Sequence, residues 1–505
     1  MVNKYCNLTG TNKIKDEYQK ITDGFTSVET DLTTILNETD LDPNKDPEVT
    51  NARVSTVKSE TFSTVGLRLE DIEQEHVTHE ADTSSRAINI MSPPSPLVAA
   101  IGDGVTDDSV SIQNIINAVE AAGGGTVFFP HNTYLAKDLL IPSNVNLIGA
   151  YNNAILKLPN GAATSTAIVK NKDTINGNHD ILIDGIVFDG NKANQVNGTF
   201  GLYFDKCQYI TIQNCTVQNV LGNWGSGVVF TGENLSKYNR VLNSNFMNLV
   251  GCDAIFLQGL GHYVAGCYVD TIGDTAVAID ATTNVRVIGN VFRNCDAQAI
   301  GSSGSTNYAI IANNTIENCR IGINFYYQAS PVTTETCKNI LIEGNTILSS
   351  TLQAIYIAAT PTDYSNNILI SENIVKSSAY RGVELIHCKA CNVNNNSVKD
   401  CGDAGIFVNS SSHIKVLNNI CNDNITAGIY FAASATYQNL FSMICNNLCT
   451  CEKTPIVQAY GIILDDSGAV NDFEYCLISN NILKNNSASF IPGASTSNTS
   501  VNNIV

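Results

Sequence analysis

Residues 339–350 read NILIEGNTILSS: a short alternating strand, a turn carrying Asn345, and a second short strand. The same unit returns as YITIQNCTVQNV (209–220), YNRVLNSNFMNL (238–249), NVRVIGNVFRNC (284–295), YAIIANNTIENC (308–319), NILISENIVKSS (367–378), HIKVLNNICNDN (413–424) and YCLISNNILKNN (475–486). Its turn asparagines are read at 214, 245, 290, 314, 345, 373, 396, 419, 447 and 481, with Cys267 in that place in HYVAGCYV; steps run from 22 to 34 residues and 23 is the commonest. Between the units lie further short strands, among them GLYFD, AIFLQ, AVAID, GINFY, AIYIA, GVELI, GIFVN and GIILD. Three short strands per ~23 residues, repeated about eleven times, predict a solenoid of β coils. Strands this short bury nothing alone and become stable by stacking at ~4.8 Å. The expected fold is all-β, a right-handed parallel β-helix in which the turn asparagines form a ladder.

Composition narrows the function. Against 47 Asp and Glu stand 28 Lys and Arg, a net charge of −19, and no basic stripe is visible, so broad phosphate neutralisation on a nucleic acid is not expected. The opening MVNKYCNLTG lacks a basic-then-apolar leader pattern, and no run of ~18 apolar residues predicts a membrane span. Most of the sixteen cysteines fall inside apolar runs such as NVFRNCD and TIENCR, as small buried hydrophobes do; reduced core thiols are expected rather than a disulfide framework. CKAC at 388–391 has metal-like spacing without a second pair, and no metal or cofactor is predicted.

An open solenoid end exposes backbone and core and needs a cap. The acid-rich GDGVTDDSVSIQ (102–113) leads into Ile112, Ile115, Ile116 and Val119, one face of a helix that ends at AAGGG. Asp107 or Asp108 is expected at its N-cap. The acid cluster is thus read as a helix start, not an active site. Upstream, Tyr18, Ile21, Phe25, Val28, Leu32 and Ile35 trace an a/d seam, which fits a self-associating helix or one packed on its own domain. ARVSTVKSETFSTVGLRLEDIEQEH (52–76) has helical character, and SPPSP (92–96) reads as a linker. Four regions follow: a partly helical segment 1–95, cap and first coils 96–160, β-helix 161–486, and a tail 487–505 that does not extend the array.

GDGVTDDSVSIQNIINAVEAAGGGTVFFPHNTYL followed by LLIPSNVNLIGA resembles the opening segment of the pectate-lyase-like β-helix superfamily, common in bacteriophage tailspikes and other polysaccharide-degrading proteins. That resemblance implies a homotrimer assembled in the host cytoplasm without a signal peptide. It also implies virion tail or baseplate attachment through residues 1–95 and a bacterial surface polysaccharide as substrate.

Side chains alternate along a strand, so two outward columns repeat per coil in the third strand set. One runs Asp205, Thr231, Gln258, Asp280, Ser303, Tyr326, Ala358, Ile386, Asn409, Ala432 and Asp465; the other includes Tyr203, Phe256, Asn324, Tyr356, Glu384, Phe407 and Tyr430. Aromatics beside amides and carboxylates suit sugar binding, and Asp205, Gln258, Asn324, Tyr326, Tyr356 and Tyr430 are the expected contacts, some aromatics covering a trimer contact instead. Just before this strand set lie Asp253, Asp274 and Asp296, spaced 21 and 22 residues apart and expected to form a row. Stacked carboxylates raise one pKa, giving the acid and base that glycoside hydrolysis uses, at about 5 Å for retention and about 6.5–9.5 Å for inversion. GCDAI and GDTAVAI are similar to the Asn-Thr-Asp and Gly-Asp-Asp segments of polygalacturonase-type hydrolases, which implies a water-activating Asp253 and a general acid at Asp274. Thr275 replaces the second Asp of that pattern, and no Gly-His-Gly follows. Asp280 and Glu384 complete the candidate acids. Coil turns alone would also use Gly-Asp pairs. The favoured function is a glycan hydrolase; the alternatives are a lyase on a uronate-containing glycan and a non-catalytic receptor-binding fibre.

Overall fold

The computed structural model describes residues 87–505 except 152, 223–224, 303, 327–336, 361–363, 434–438, 466–472, 492–498, 502 and 505, together with eight residues nearer the amino terminus. The heptad positions Tyr18 to Ile35 and the column residue Ser303 lie outside the described residues. Within 52–76, where the sequence reads as helical, Val54–Ser55 and Glu60–Thr61 instead pair antiparallel. The chain divides after Ala87. SPPSP is therefore no linker: Ile90, ahead of it, is fully buried and takes a hydrogen bond from Ala100 N at 2.8 Å.

From residue 88 onward the chain is a right-handed parallel β-solenoid of about twelve turns. Each coil visits three faces, as in Asp253–Leu260 (face A), Tyr263–Ala265 (face B) and Tyr268–Ile272 (face C). The next coil repeats them as Val277–Thr283, Arg286–Ile288 and Val291–Cys295, every pair parallel. Inward residues stack on their own kind, as Phe204 does on Phe230 with ring centroids 5.6 Å apart. The fifteen described cysteines are buried in this core and unbridged, including Cys388 and Cys391 of CKAC. Among the described residues no cluster of three His, Cys, Asp or Glu is placed to hold a metal.

The ladder runs at the turn from face B to face C. Asn290, Asn314, Asn345, Asn373, Asn396, Asn419, Asn447 and Asn481 each donate a side-chain hydrogen bond to the next at 2.9–3.1 Å, the series ending on Asn503. Asn345 also donates its backbone N–H to Asn373 Oδ1 and its amide to Ile311 O, so a buried turn is satisfied without water. Cys267 holds the ladder position as read, its N–H bonding Asn290 Oδ1. Two earlier coils depart from the sequence reading by one residue: Cys215 and Ser244 hold the position there, with Cys215 N bonding Ser244 Oγ. Asn214 sits one place before it at φ 51°, the left-handed corner that Gly266 and Gly289 fill in the following coils. Asn245 is one place after it, the first residue of a face C strand.

The cap is helix α1, Ser109–Ala121, which buries Ile112, Ile115, Ile116 and Val119 as its spacing predicts. Gln113 fixes it to the first coils by bonding both Leu140 N and Leu140 O. The preceding acids hold backbone. Asp108 stands at the N-cap, yet its carboxylate turns back to accept from Ile101 N and Gly102 N at 2.7 and 3.0 Å. Asp107 takes Ser109 N, and Asp103 takes Val105 N and Thr106 N, whose hydrogen bonds hold the Asp103 carboxyl below its usual range. At the other end the tail does extend the array: Ala488–Ile491 pairs with face A at Tyr460, and Thr499–Val501 pairs with Leu477–Ser479.

Candidate active site

Face A is where the outward columns run, and their described members hold the expected register. Asp205 pairs with Thr231, Phe256 with Ala278, Tyr326 with Ala358, Tyr356 with Glu384, Glu384 with Phe407 and Phe407 with Tyr430. Side-chain size then shapes the surface. The second column narrows from Phe256 to Ala278 and Gly301 before Asn324, and a cleft of about 630 Å³ opens over these small residues. Phe200, Tyr203, Phe256 and Tyr326 are aromatic residues of its lining; Asp253, Asp274 and Asp280 are carboxylates of it, and among the described residues no Lys, Arg or His lines it.

Asp253 is strongly perturbed. Desolvation first, then the neighbouring negative charges of Asp274 and, more weakly, Asp280, push its carboxyl up to about 7, against the lowering effect of Thr275 N–H. That N–H donates to Asp253 Oδ1 at 3.2 Å, and the Thr275 hydroxyl donates to Gln298 Oε1 at 2.6 Å. Thr275, a departure from the hydrolase pattern in sequence, is thus the residue that fixes the acid. A carboxyl protonated near neutrality beside acids with room for water is the pairing that acid–base chemistry at a glycosidic bond needs.

The three turn acids do not form the expected row. Asp253 bonds to Thr275 across 22 residues and Thr275 to Gln298 across 23, whereas the acids recur after 21 and 22. Each acid therefore falls one residue further back around the turn than the last. Asp274 still reaches the cleft; Asp296 is exposed and outside its lining. Glu384 is 3% exposed and fully engaged. It pairs with Arg381 and accepts from Gln353 Nε2 at 2.7 Å, one partner on each oxygen, and its burial withdraws it from the surface. Arg381 also holds Asp403 at 2.8 Å and lies over the Phe407 ring at 3.3 Å, so Glu384 belongs to a buried structural cluster.

The expected sugar contacts divide. Asn324 and Tyr326 line the cleft. Asp205, 3.7 Å from Lys206, and Gln258, bonded by the Thr231 hydroxyl at 2.7 Å, are beside it rather than in its lining. Tyr356 stacks on Tyr326 at 6.2 Å and continues the aromatic wall, its hydroxyl pushed up to about 12 chiefly by burial. Tyr430 lies farther along face A and donates to Asp465 at 2.6 Å. Sequence reasoning missed Phe200, Ser226, Thr275 and Gln298, which share the register of Asp253 and line the cleft. Asp253 has the strand parity of the inward Ile255 and Leu257, so alternation alone sends this column to the core, yet Ala254 and Ile255 are both buried and Asp253 lines the cleft.

Residues 98–346 match the family model for rhamnogalacturonase A/epimerase, pectate lyase-like, and residues 332–452 match the right handed beta helix region. The chain is a pectate-lyase-like β-helix protein. Among curated relatives, this pectate-lyase-like chain is similar to mannuronan C5-epimerase AlgE6 of Azotobacter vinelandii, 39% identical over 118 residues, and to alginate lyase 7 of the same organism, 38% identical over 116 residues. Each match covers 21% of this chain and 13% of the relative, so the chain spans only a small part of either. Among solved structures it is similar to the Dettilon tailspike protein, with a TM-score of 0.53, 16% identity, and coverage of 87% of this chain and 72% of that one. This last likeness is one of fold.

Proposed function

We propose that the chain is a polysaccharide depolymerase that cleaves glycosidic bonds by hydrolysis in the face A cleft. The observation that carries this reading is the carboxylate group Asp253, Asp274 and Asp280 in one aromatic-lined cleft, with Asp253 raised to about 7. Asp253 serves as general acid to the leaving oxygen, the reverse of the role its sequence context implies. Asp274 and Asp280 supply the base or nucleophile. Uronate lyase and epimerase chemistry, which the names of the curated relatives bring forward, develops charge on a substrate carboxylate and gains from a cationic partner. Among the described residues the cleft lining carries acids and no cationic side chain, which favours a sugar without a carboxylate at the cleavage point.

The tailspike likeness supports, within the same reading, a homotrimer on a virion tail or baseplate acting on a bacterial surface polysaccharide, with residues 1–95 as the attachment segment. Incubation with capsular and cell-wall polysaccharides from candidate hosts tests it. New reducing ends without unsaturated-uronate absorbance, lost in Asp253→Asn and Asp274→Asn, are expected. Shortening with that absorbance transfers the reading to a lyase, and binding without shortening transfers it to a receptor-binding fibre.

A further inference from the structure

Face B carries a second hollow, of about 900 Å³. Arg240, Tyr263 and Arg286 occupy one register position on three successive rungs. Their side chains therefore share a column, with the two arginines two rungs, or about 9.6 Å, apart at ordinary strand spacing. Both arginines are exposed, and neither makes an ion pair among the described residues. Among the described residues no carboxylate lines the hollow, although the chain as a whole carries a net charge of −19. Two unpaired guanidiniums in an acid-free depression reverse the local field and attract an anion.

Tyr238 and Tyr308 flank this column, 40% and 54% exposed. Both hold left-handed backbone, φ 55° and 56°, at a turn position that Gly261, Asn284 and Asn339 fill in neighbouring coils and that Tyr209, Phe441 and Tyr475 also occupy elsewhere. Gly and Asn adopt that conformation readily, whereas a bulky aromatic there is strained. The Tyr238 ring lies over Gly261, and both rings keep an exposed face beside the arginine column. Tyr209 stacks on Tyr238 at 5.4 Å and lengthens the aromatic edge. Aromatic faces suit the apolar face of a pyranose, and a guanidinium fork matches a carboxylate.

We propose that this hollow is a second saccharide site that binds a short acidic stretch of glycan without cleaving it, the sugar faces lying on Tyr238 and Tyr308 and its carboxylates on Arg240 and Arg286. The site stands independently of the hydrolytic reading of face A.

Calorimetric titration of the full chain with hexasaccharides of galacturonate, mannuronate and N-acetylneuraminate tests this, with maltohexaose and an oligothymidylate as comparisons, at low and high salt. At least one acidic hexasaccharide is expected to bind, to weaken with salt, and to bind roughly tenfold more weakly to the Arg240→Gln/Arg286→Gln variant. Arg240→Lys/Arg286→Lys, which keeps charge but loses the fork, is expected to fall between, and Asp253→Asn to bind as the parent does. The proposal is overturned if no acidic hexasaccharide binds better than maltohexaose, if the oligothymidylate binds as tightly, or if both arginine variants bind like the parent. It is equally overturned if Asp253→Asn abolishes binding, which places the ligand in the cleft, or if the arginine variants change the subunit number, which makes face B a contact between copies.

Discussion

Asp253 links the proposed chemistry to stability, and Asp253→Asn separates the two. Its carboxyl titrates at about 7 in the folded chain and near 3.9 when unfolded. Between those values the folded state holds a proton that the unfolded state has lost. Stability therefore falls as pH rises from about 4 to about 7, and above that the full cost is present. A shift of about three units corresponds to roughly 4 kcal/mol at 1.36 kcal/mol per unit, an upper bound because the carboxyl faces an open cleft. Asparagine keeps the oxygen that accepts from Thr275 N–H and carries no charge to desolvate. The variant is expected to melt modestly above the parent at pH 5, where about 1.5 kcal/mol of the cost is present, and well above it at pH 8.5, where the full cost is present, while losing hydrolysis. At about 2–4 °C per kcal/mol for units of 150–250 residues, and less for a longer solenoid, the gain is several degrees. Matched scan rates cancel irreversible steps that would distort either melt. If the difference between variant and parent is the same at both pH values, Asp253 is ionised throughout, and its assignment as general acid fails.

The ladder and the buried ion cluster give further tests. Asn345→Ala removes bonds to Asn314, Ile311 and Asn373 and leaves buried groups unsatisfied; a loss of about 3 kcal/mol in denaturant unfolding is expected. Arg381→Met leaves Glu384 buried without its cation and should destabilise by about 3–5 kcal/mol, whereas Arg381→Met/Glu384→Leu should recover most of that; equal losses would show that the pair is not coupled. The described thiols are buried, with Cys215 and Cys267 pushed up to about 12 by desolvation. A thiol reagent should label them at a rate set by unfolding rather than by reagent concentration, and fast native-state labelling would contradict the core assignment.

The repeat itself was legible because a parallel coil writes its geometry into sequence as period. Two outward columns of face A, the helix α1 stripe and most of the ladder follow from alternation and spacing, and the structure keeps them in register. Asn214 was misplaced because asparagine also suits the left-handed corner, and Asn245 because it opens the strand one place after Ser244, so identity alone does not say which turn position an asparagine holds. Asp296 was misplaced for a related reason: a coil step that varies by one residue carries an acid off the row.

By itself, then, the sequence determined a stacked solenoid, its capped end, its reduced core and the outward columns, since each is a periodic consequence of backbone pairing and burial. Tertiary structure decided which acids meet. Asp253 lines the cleft although strand parity sends it inward, and Glu384 is withdrawn by Arg381 and Gln353. The cleft exists because Ala278 and Gly301 fall between bulky neighbours. Local pattern fixes the direction of a side chain within a regular strand; coil length and the size of stacked neighbours, which are set between coils, fix whether it reaches a common site.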